Sequence, residues 1–414
     1  MKDLKIYFPV VLFLILLSSC THRYYSRNDY KYPKPVDTYD KQINYQIKKI
    51  YSEGNVFVDN TFDGAGMNGF KRLDDSTYQV TIEPENFPVN DSPWFSFKIW
   101  SDTIRKVYLK LNYLHGHHRY IPKISSDRIH WKMIDTTHLD IANDRSYAVF
   151  SLELDTAKLW VSAQELINST DVKEWMKNLR DNKYIHDIRS IGKSKLGRDI
   201  DYYRIGKGSS AGKDVIVLLS RQHPPEISGF LAMKSFIDEL LVENKLTSDF
   251  YDKYDIWVFP LLNPDGVDLG HWRHNANGVD LNRDWAYYRQ PEIDAVTGFI
   301  VKNAKSKKNK VVLSIDFHST QKDVYYLYDD SFKTELHDLV KYWINSIDRL
   351  IYPFTSVKSP EPLSKPYSKV WFYMQFKAES LTYEVGDETP RDIIDKKARI
   401  AAVTMMDLLI GDDD

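Results

Sequence analysis

Polar side chains able to do metal and carboxylate chemistry fall just beyond the carboxyl ends of apolar runs. Val215–Leu219 is followed by Ser220, Arg221, Gln222, His223, Pro224, Pro225 and Glu226. Val311–Phe317 is followed by His318, and the run "SLTY" by Glu384. Ile256–Leu262 leads into Asn263-Pro264-Asp265-Gly266, then Trp272-Arg273, then Gly278-Val279-Asp280-Leu281-Asn282-Arg283. Ligands of open α/β sheets bind outside the carboxyl ends of the strands, so this placement outlines a site. Two histidines and a glutamate are a ligand set that catalytic zinc uses, with a fourth position left for water. His223 and Glu226 are three apart where a helical stretch begins, which sets both on one side, with the carboxylate near the positive helix end. His318 has to arrive from a different strand. H-x-x-E by itself arises by chance on surface helices; its weight comes from the other strand-end residues.

The elements that must carry these residues are readable from periodicity. Continuous apolar runs suit strands buried on both faces. They alternate with helical spacing at Val172–Leu179, Gly229–Leu241, Glu335–Leu350 and Arg391–Ile410. This predicts an α/β catalytic domain over 161–414, with a mixed, largely parallel central sheet flanked by helices. Residues 46–160 differ: "TYQVTIE", "WFSFKIW", "RKVYLKLNY" and "YAVFSLEL" alternate with period two between Pro, Asp and Asn breaks, which predicts an all-β sandwich domain. Residues 20–45 lack apolar periodicity, carry Pro33 and Pro35, and read as a tether. The "HGHH" run at His115–His118 reads as a loop between sandwich strands rather than a metal site.

Composition narrows the chemistry. The 414 residues are 43% hydrophobic with a formal net charge of -2, which excludes a disordered chain and gives no global basic field for nucleic acid. One cysteine rules out disulfides and thiolate clusters within the chain, so a metal must use His and carboxylate ligands. That cysteine follows Lys2, Lys5 and the apolar run Tyr7–Leu17. The run is too short to span a bilayer but suits a signal peptide over 1–19. Leu17-Ser18-Ser19-Cys20 resembles the lipobox of bacterial lipoproteins. The resemblance implies an exported protein, lipidated at Cys20 and anchored to a membrane facing the periplasm or cell exterior.

Taken in order, "HPPE", "NPDG", "WR", "GVDLNR", "DFHS" and "TYE" resemble the motifs of zinc metallocarboxypeptidases of the carboxypeptidase A type. The closest resemblance is to the cytosolic carboxypeptidase branch, which also carries a β-sandwich before its catalytic domain. The resemblance implies one zinc ion per chain on His223, Glu226 and His318. Glu384 then corresponds to the general base that takes a proton from a water on the metal. Arg273 corresponds to the oxyanion-stabilising arginine, and Asn282 and Arg283 to the pair that grips a peptide's terminal carboxylate. The implied reaction is hydrolysis of the C-terminal amide bond of a peptide with a free carboxylate.

There are departures. Pro225 stands where the branch has Gly and the digestive enzymes have Arg. The mobile tyrosine of the digestive enzymes has two candidates, Tyr367 and Tyr373. "SKVWF" at Ser368–Phe372 resembles the lining of the specificity pocket, which makes Lys369 a candidate reader of an acidic side chain. Two other readings stand beside the peptidase: a zinc deacylase or amidase on the same fold, and a metal-containing peptide-binding module without catalysis.

Overall fold

A computed structural model describes residues 27, 30–32, 34–329, 331–336 and 338–411. The signal peptide, Cys20 and Pro33 lie outside them. Among the described residues no helix is long and apolar enough to cross a membrane.

The amino-terminal domain contains β1 (Ile50–Glu53), β2 (Val56–Asp59), β3 (Gly69–Arg72), β4 (Thr77–Ile82), β5 (Ser96–Ser101) and β6 (Arg105–Tyr113), then β7 (Lys123–Ser125), β8 (Lys132–Met133), β9 (Asp140–Ile141), β10 (Tyr147–Leu154) and β11 (Leu159–Ser162). They form a sheet ordered β1-β2-β5-β11-β7-β8 and another ordered β3-β4-β6-β10-β9. Alternation drives the burial: Tyr78, Val80 and Ile82 of β4 and Val107, Leu109 and Leu111 of β6 point into one core. Pairing is antiparallel except between β4 and β6, which run parallel.

The α/β domain holds an eight-stranded sheet. Its strands are β12 (Ile185–Lys193), β13 (Asp199–Ile205), β14 (Asp214–Ser220), β15 (Tyr254–Phe259), β16 (Val311–Thr320), β17 (Val324–Tyr328), β18 (Val357–Glu361) and β19 (Glu379–Gly386). The order is β12-β13-β15-β14-β16-β19-β17-β18. The central strands β15, β14, β16 and β19 are parallel, and antiparallel pairings flank them. Ile216 and Leu218 of β14 face one core, Val215, Val217 and Leu219 the other, so both faces are covered. The helices are α1 (Ser169–Asn178), α2 (Ile227–Leu240), α3 (Lys245–Lys253), α4 (Pro264–Leu269), α5 (Pro291–Lys307), α6 (Leu339–Ile351), α7 (Ser368–Phe376) and α8 (Arg391–Gly411). Helices α1, α2, α6 and α8 lie within a few residues of the periodic stretches. Helices α3, α4, α5 and α7 were not anticipated. In α5 the buried stripe of Ile293, Val296 and Ile300 is interrupted by Thr297 and Gly298, which masks the period.

The stretch expected as a tether does not hang free where it is described. Lys41 N donates to Asn277 O at 2.7 Å, Gln290 Nε2 donates to Thr38 O at 2.8 Å, and Tyr32 is buried with Ala286 and Val370. It runs along the α/β domain. The two domains also share polar contacts: Arg119 pairs with Asp387 at 2.8 Å and Lys123 with Glu388 at 3.0 Å. Trp272 and Ile227 of the α/β domain complete the sandwich core.

Candidate active site

Strand β14 ends at Ser220, and the chain turns through Pro224 and Pro225 to Glu226, which occupies the N-cap of α2. The prolines remove two backbone donors where no helical partner exists. The first turn of α2 packs onto β16 so closely that a Cβ on Gly229 would lie 2.4 Å from His318 O. Gly229 N also donates to Ser319 Oγ at 2.8 Å. This approach brings His318 to the residues that follow β14. Strands β16 and β19 then run in parallel register with His318 opposite Glu384.

His223, Glu226 and His318 offer ligand atoms that all lie within 4.8 Å of one another. His223 Nδ1 lies 2.8 Å from Glu226 Oε1 and His318 Nδ1 lies 2.6 Å from Glu226 Oε2. The opposite nitrogens are held as well: His223 Nε2 lies 3.0 Å from Asp280 Oδ1, and His318 Nε2 lies 3.0 Å from Asp316 Oδ2. A neutral imidazole has one donor, so it cannot satisfy carboxylates on both nitrogens. Either the ring is protonated, or a cation stands in the place of the Nδ1 proton. The donor set of two imidazole nitrogens and a carboxylate oxygen fits zinc, and an imidazole oriented by a carboxylate is the usual support for such a ligand.

The charges agree with that fit. Burial opposes protonation of His318, yet Asp316 and Glu226 raise its pKa well above the ordinary histidine value. Glu226 is deeply buried, which favours the neutral acid, but His223 and His318 hold its carboxyl well below the usual carboxylate range. Glu384 behaves oppositely. Burial, reinforced by the Glu226 charge, pushes its carboxyl up to about 8. Among the described residues nothing hydrogen-bonds its buried Oε2. A cation on the three ligands would favour the ionised form of Glu384.

These residues border a cleft of about 180 Å³ that is also lined by Arg273, Asn282, Arg283, Tyr326, Glu361, Tyr367 and Thr382. Arg273 Nε donates to Asp280 Oδ2 at 2.6 Å, and the Arg283 guanidinium lies over the Tyr367 ring at 4.5 Å. Asn282 Oδ1 accepts from Ser368 N at 2.9 Å. The structure thus brings His223, Glu226, His318, Glu384, Arg273, Asn282, Arg283 and Tyr367 to one cleft. Tyr373 is elsewhere, packed at 5.4 Å from Tyr328 and 5.5 Å from Phe332. Lys369 does not line the cleft: it is 1% exposed, with Nζ donating to Leu327 O at 3.0 Å and Glu361 Oε2 at 3.1 Å. Its helix turns the side chain beneath the floor, and Glu361 faces the cleft in its place. In the "HGHH" loop, His118 is buried against Tyr113 and His117 pairs with Asp91, and neither belongs to a metal-holding cluster.

Sequence reasoning passed over Asp280, Asp316 and Glu361. Asp316 carried a signal, since residues two apart on a strand share a face and Asp316 precedes His318 by two. Asp280 lay inside a motif already singled out. Glu361 had none, being brought in by a short edge strand. Asp280→Asn should weaken zinc binding by about 10–100-fold while leaving the fold intact, measured by competition with a chromogenic chelator. Unchanged affinity would count against its support of His223.

Residues 172–389 match the zinc carboxypeptidase family. The chain is 24% identical to cytosolic carboxypeptidase 6 of Caenorhabditis elegans, over 67% of this chain and 66% of that protein. It is 30% identical to cytosolic carboxypeptidase 2 of Xenopus tropicalis, over 37% of this chain and 17% of that protein. The matches therefore span less than two thirds of these relatives' own length. Among solved structures, a metallo-carboxypeptidase from Burkholderia cenocepacia superposes with a TM-score of 0.70 at 16% identity, covering 86% of this chain and 99% of that one. A metallo-carboxypeptidase from Pseudomonas aeruginosa gives 0.69 at 18% identity, covering 85% and 98%. These structures share the fold, and with the family match over more than half its length the chain belongs to the zinc carboxypeptidase family.

Proposed function

We propose that this chain is a zinc-dependent carboxypeptidase that hydrolyses the last amide bond of peptides bearing a free carboxylate. The carrying observation is Glu384, a half-buried carboxyl opposite His318 in the sheet register that lines the same cleft as His223, Glu226 and His318. A binding site needs no such group; a hydrolase needs a base there. Zinc held by those three side chains supplies Lewis acidity and makes a nearby water more acidic. Glu384 takes the proton from that water and returns it to the leaving nitrogen. Arg273, fixed at Nε by Asp280, presents its remaining N–H groups to the oxygen where charge develops. Arg283 and Asn282 bind the terminal carboxylate, with the Tyr367 ring beneath the guanidinium.

The cleft also suggests which end it prefers. Glu361 offers it a carboxylate, with Lys369 bound to one oxygen from below. A peptide ending in Lys or Arg can pair with this group, whereas Asp or Glu meets a like charge. Release of terminal Lys or Arg should therefore exceed that of Asp or Glu by roughly tenfold, a factor that corresponds to about 1.4 kcal/mol. The reverse order in a panel differing at the last residue would return Lys369 to the role of reader.

Turnover separates catalysis from capture. Glu384→Gln should keep zinc and peptide affinity while its rate falls by about 10²–10⁴-fold. Arg283→Ala should mainly raise KM and narrow the preference for free over amidated ends. Equal rates on free and amidated peptides in the wild type would favour an amidase. Near-normal turnover in Glu384→Gln would reject the base.

The address is carried by the first twenty residues alone, and we extend the proposal to an exported lipoprotein anchored at Cys20. Labelled palmitate should enter the wild type in a bacterial host and be absent from Cys20→Ala. A wild type that is never labelled leaves Cys20 as part of an ordinary signal peptide.

A further inference from the structure

We propose that Glu85, a residue of the β-sandwich, positions Arg273 for the reaction, so that the sandwich is a working part of the active site. The inference rests on the carboxypeptidase reading for the role of Arg273, and on the geometry below for the role of Glu85.

Arg273 belongs to no helix or strand. It sits in the irregular stretch after α4, and its side chain is directed by Asp280. Its backbone is held from the other domain. Glu85, 3% exposed in the turn after β4, accepts three successive backbone N–H groups. Oε2 takes Trp272 N at 2.7 Å; Oε1 takes Arg273 N at 3.0 Å and His274 N at 2.7 Å. One carboxylate thus fixes three peptide planes centred on Arg273. Burial works to neutralise this carboxyl, but His271, His274 and the converging N–H groups keep it below its ordinary pKa.

Both flanking side chains are held by the sandwich as well. Trp272 is 1% exposed within the sandwich core. Gly116 of the "HGHH" loop makes room for it, because a Cβ there would lie 2.5 Å from the indole ring. His274 Nδ1 lies 2.6 Å from Asn86 Oδ1, and Asn86 Nδ2 donates to Gly278 O at 3.0 Å. The stretch leading to Asp280, Asn282 and Arg283 is therefore clamped by residues next to Glu85. A displacement near 1 Å at a charge-stabilising group can cost about 10²-fold in rate.

The test is a double-variant cycle with zinc-loaded full-length protein and a peptide with a free end. Glu85→Gln preserves shape but turns one acceptor oxygen into a donor that opposes an N–H group. It should lower kcat by about 10–100-fold, leave KM within about twofold, and keep zinc content unchanged. In an Arg273→Ala background the same substitution should cost less than about twofold further, because the group it positions is gone. Glu85→Asp, which keeps both acceptors, should recover part of the loss. Hydrogen exchange at Trp272, Arg273 and His274 should quicken in Glu85→Gln relative to the rest of the chain. Wild-type-like kcat in Glu85→Gln, or losses that multiply in the double variant, would overturn the proposal. A wild type that cleaves no peptide overturns the carboxypeptidase reading instead. The Glu85 proposal is then decided by exchange alone, and unchanged protection of the three amides rejects it.

Discussion

Two imidazoles, each facing carboxylates on both ring nitrogens, set the terms for the rest of the catalytic domain. Glu226 lies between His223 and His318, with Asp280 and Asp316 behind them. Removing one partner from such a buried charged group typically costs about 3–5 kcal/mol, since the other is left uncompensated. The arrangement therefore has to be assembled whole, and the fold supplies it through strand register rather than through local turns. His318 is opposite Glu384 because β16 and β19 are parallel, and His223 arrives because β14 neighbours β16. Gly229 is required where α2 meets β16, since a side chain there would push the Glu226 end of the helix away from His318.

From that centre the polar network extends outward. Asp280 holds His223, Arg273 and the backbone of Asn282 at once. Burial works to neutralise Asp280, but Arg273 and His223 hold it well below the usual carboxylate range. The His223–Glu226–His318 cluster and the arginine side of the cleft thus share one carboxylate. On the other side, Asp316 accepts from Gln222 at 2.6 Å and from the Ser368 hydroxyl, and Ser368 N donates to Asn282. A ring of contacts closes around the cleft through the start of α7. The sandwich joins the same assembly through Trp272, Arg119 and Lys123, so its core and the site are mechanically continuous.

What could be read in the residues follows from how directly local pattern encodes position. Buried parallel strands leave continuous apolar runs, and the carboxyl ends of those runs place His223, His318 and Glu384 along one edge of the sheet. The sandwich is as plain, because period-two alternation is a local signal. Asp280, Asp316 and Glu361 act through partners distant in sequence, which no window of periodicity contains. Lys369 shows the limit of motif resemblance. Its stretch is at the cleft, but the helical turn starting at Ser368 sends the ammonium under the floor, where Glu361 and Leu327 O bind it. Residues 20–45 lack apolar period and read as a tether, of which 34–45 are described throughout. They are nonetheless ordered along the α/β domain, chiefly through main-chain and amide hydrogen bonds that composition does not display.

The contrast between Glu226 and Glu384 is the final point that bears on chemistry. Both carboxyls line one cleft, Glu226 buried and Glu384 half-buried, and loss of solvent raises both. Glu226 is surrounded by two imidazoles and stays ionised, whereas Glu384 has Glu226 as a like-charged neighbour. On the carboxypeptidase reading proposed above, a cation beside Glu384 favours its ionised form, and this carboxyl takes up and gives back a proton during turnover. Two adjacent glutamates pushed in opposite directions by their surroundings suit the ligand and base roles that this reading gives them.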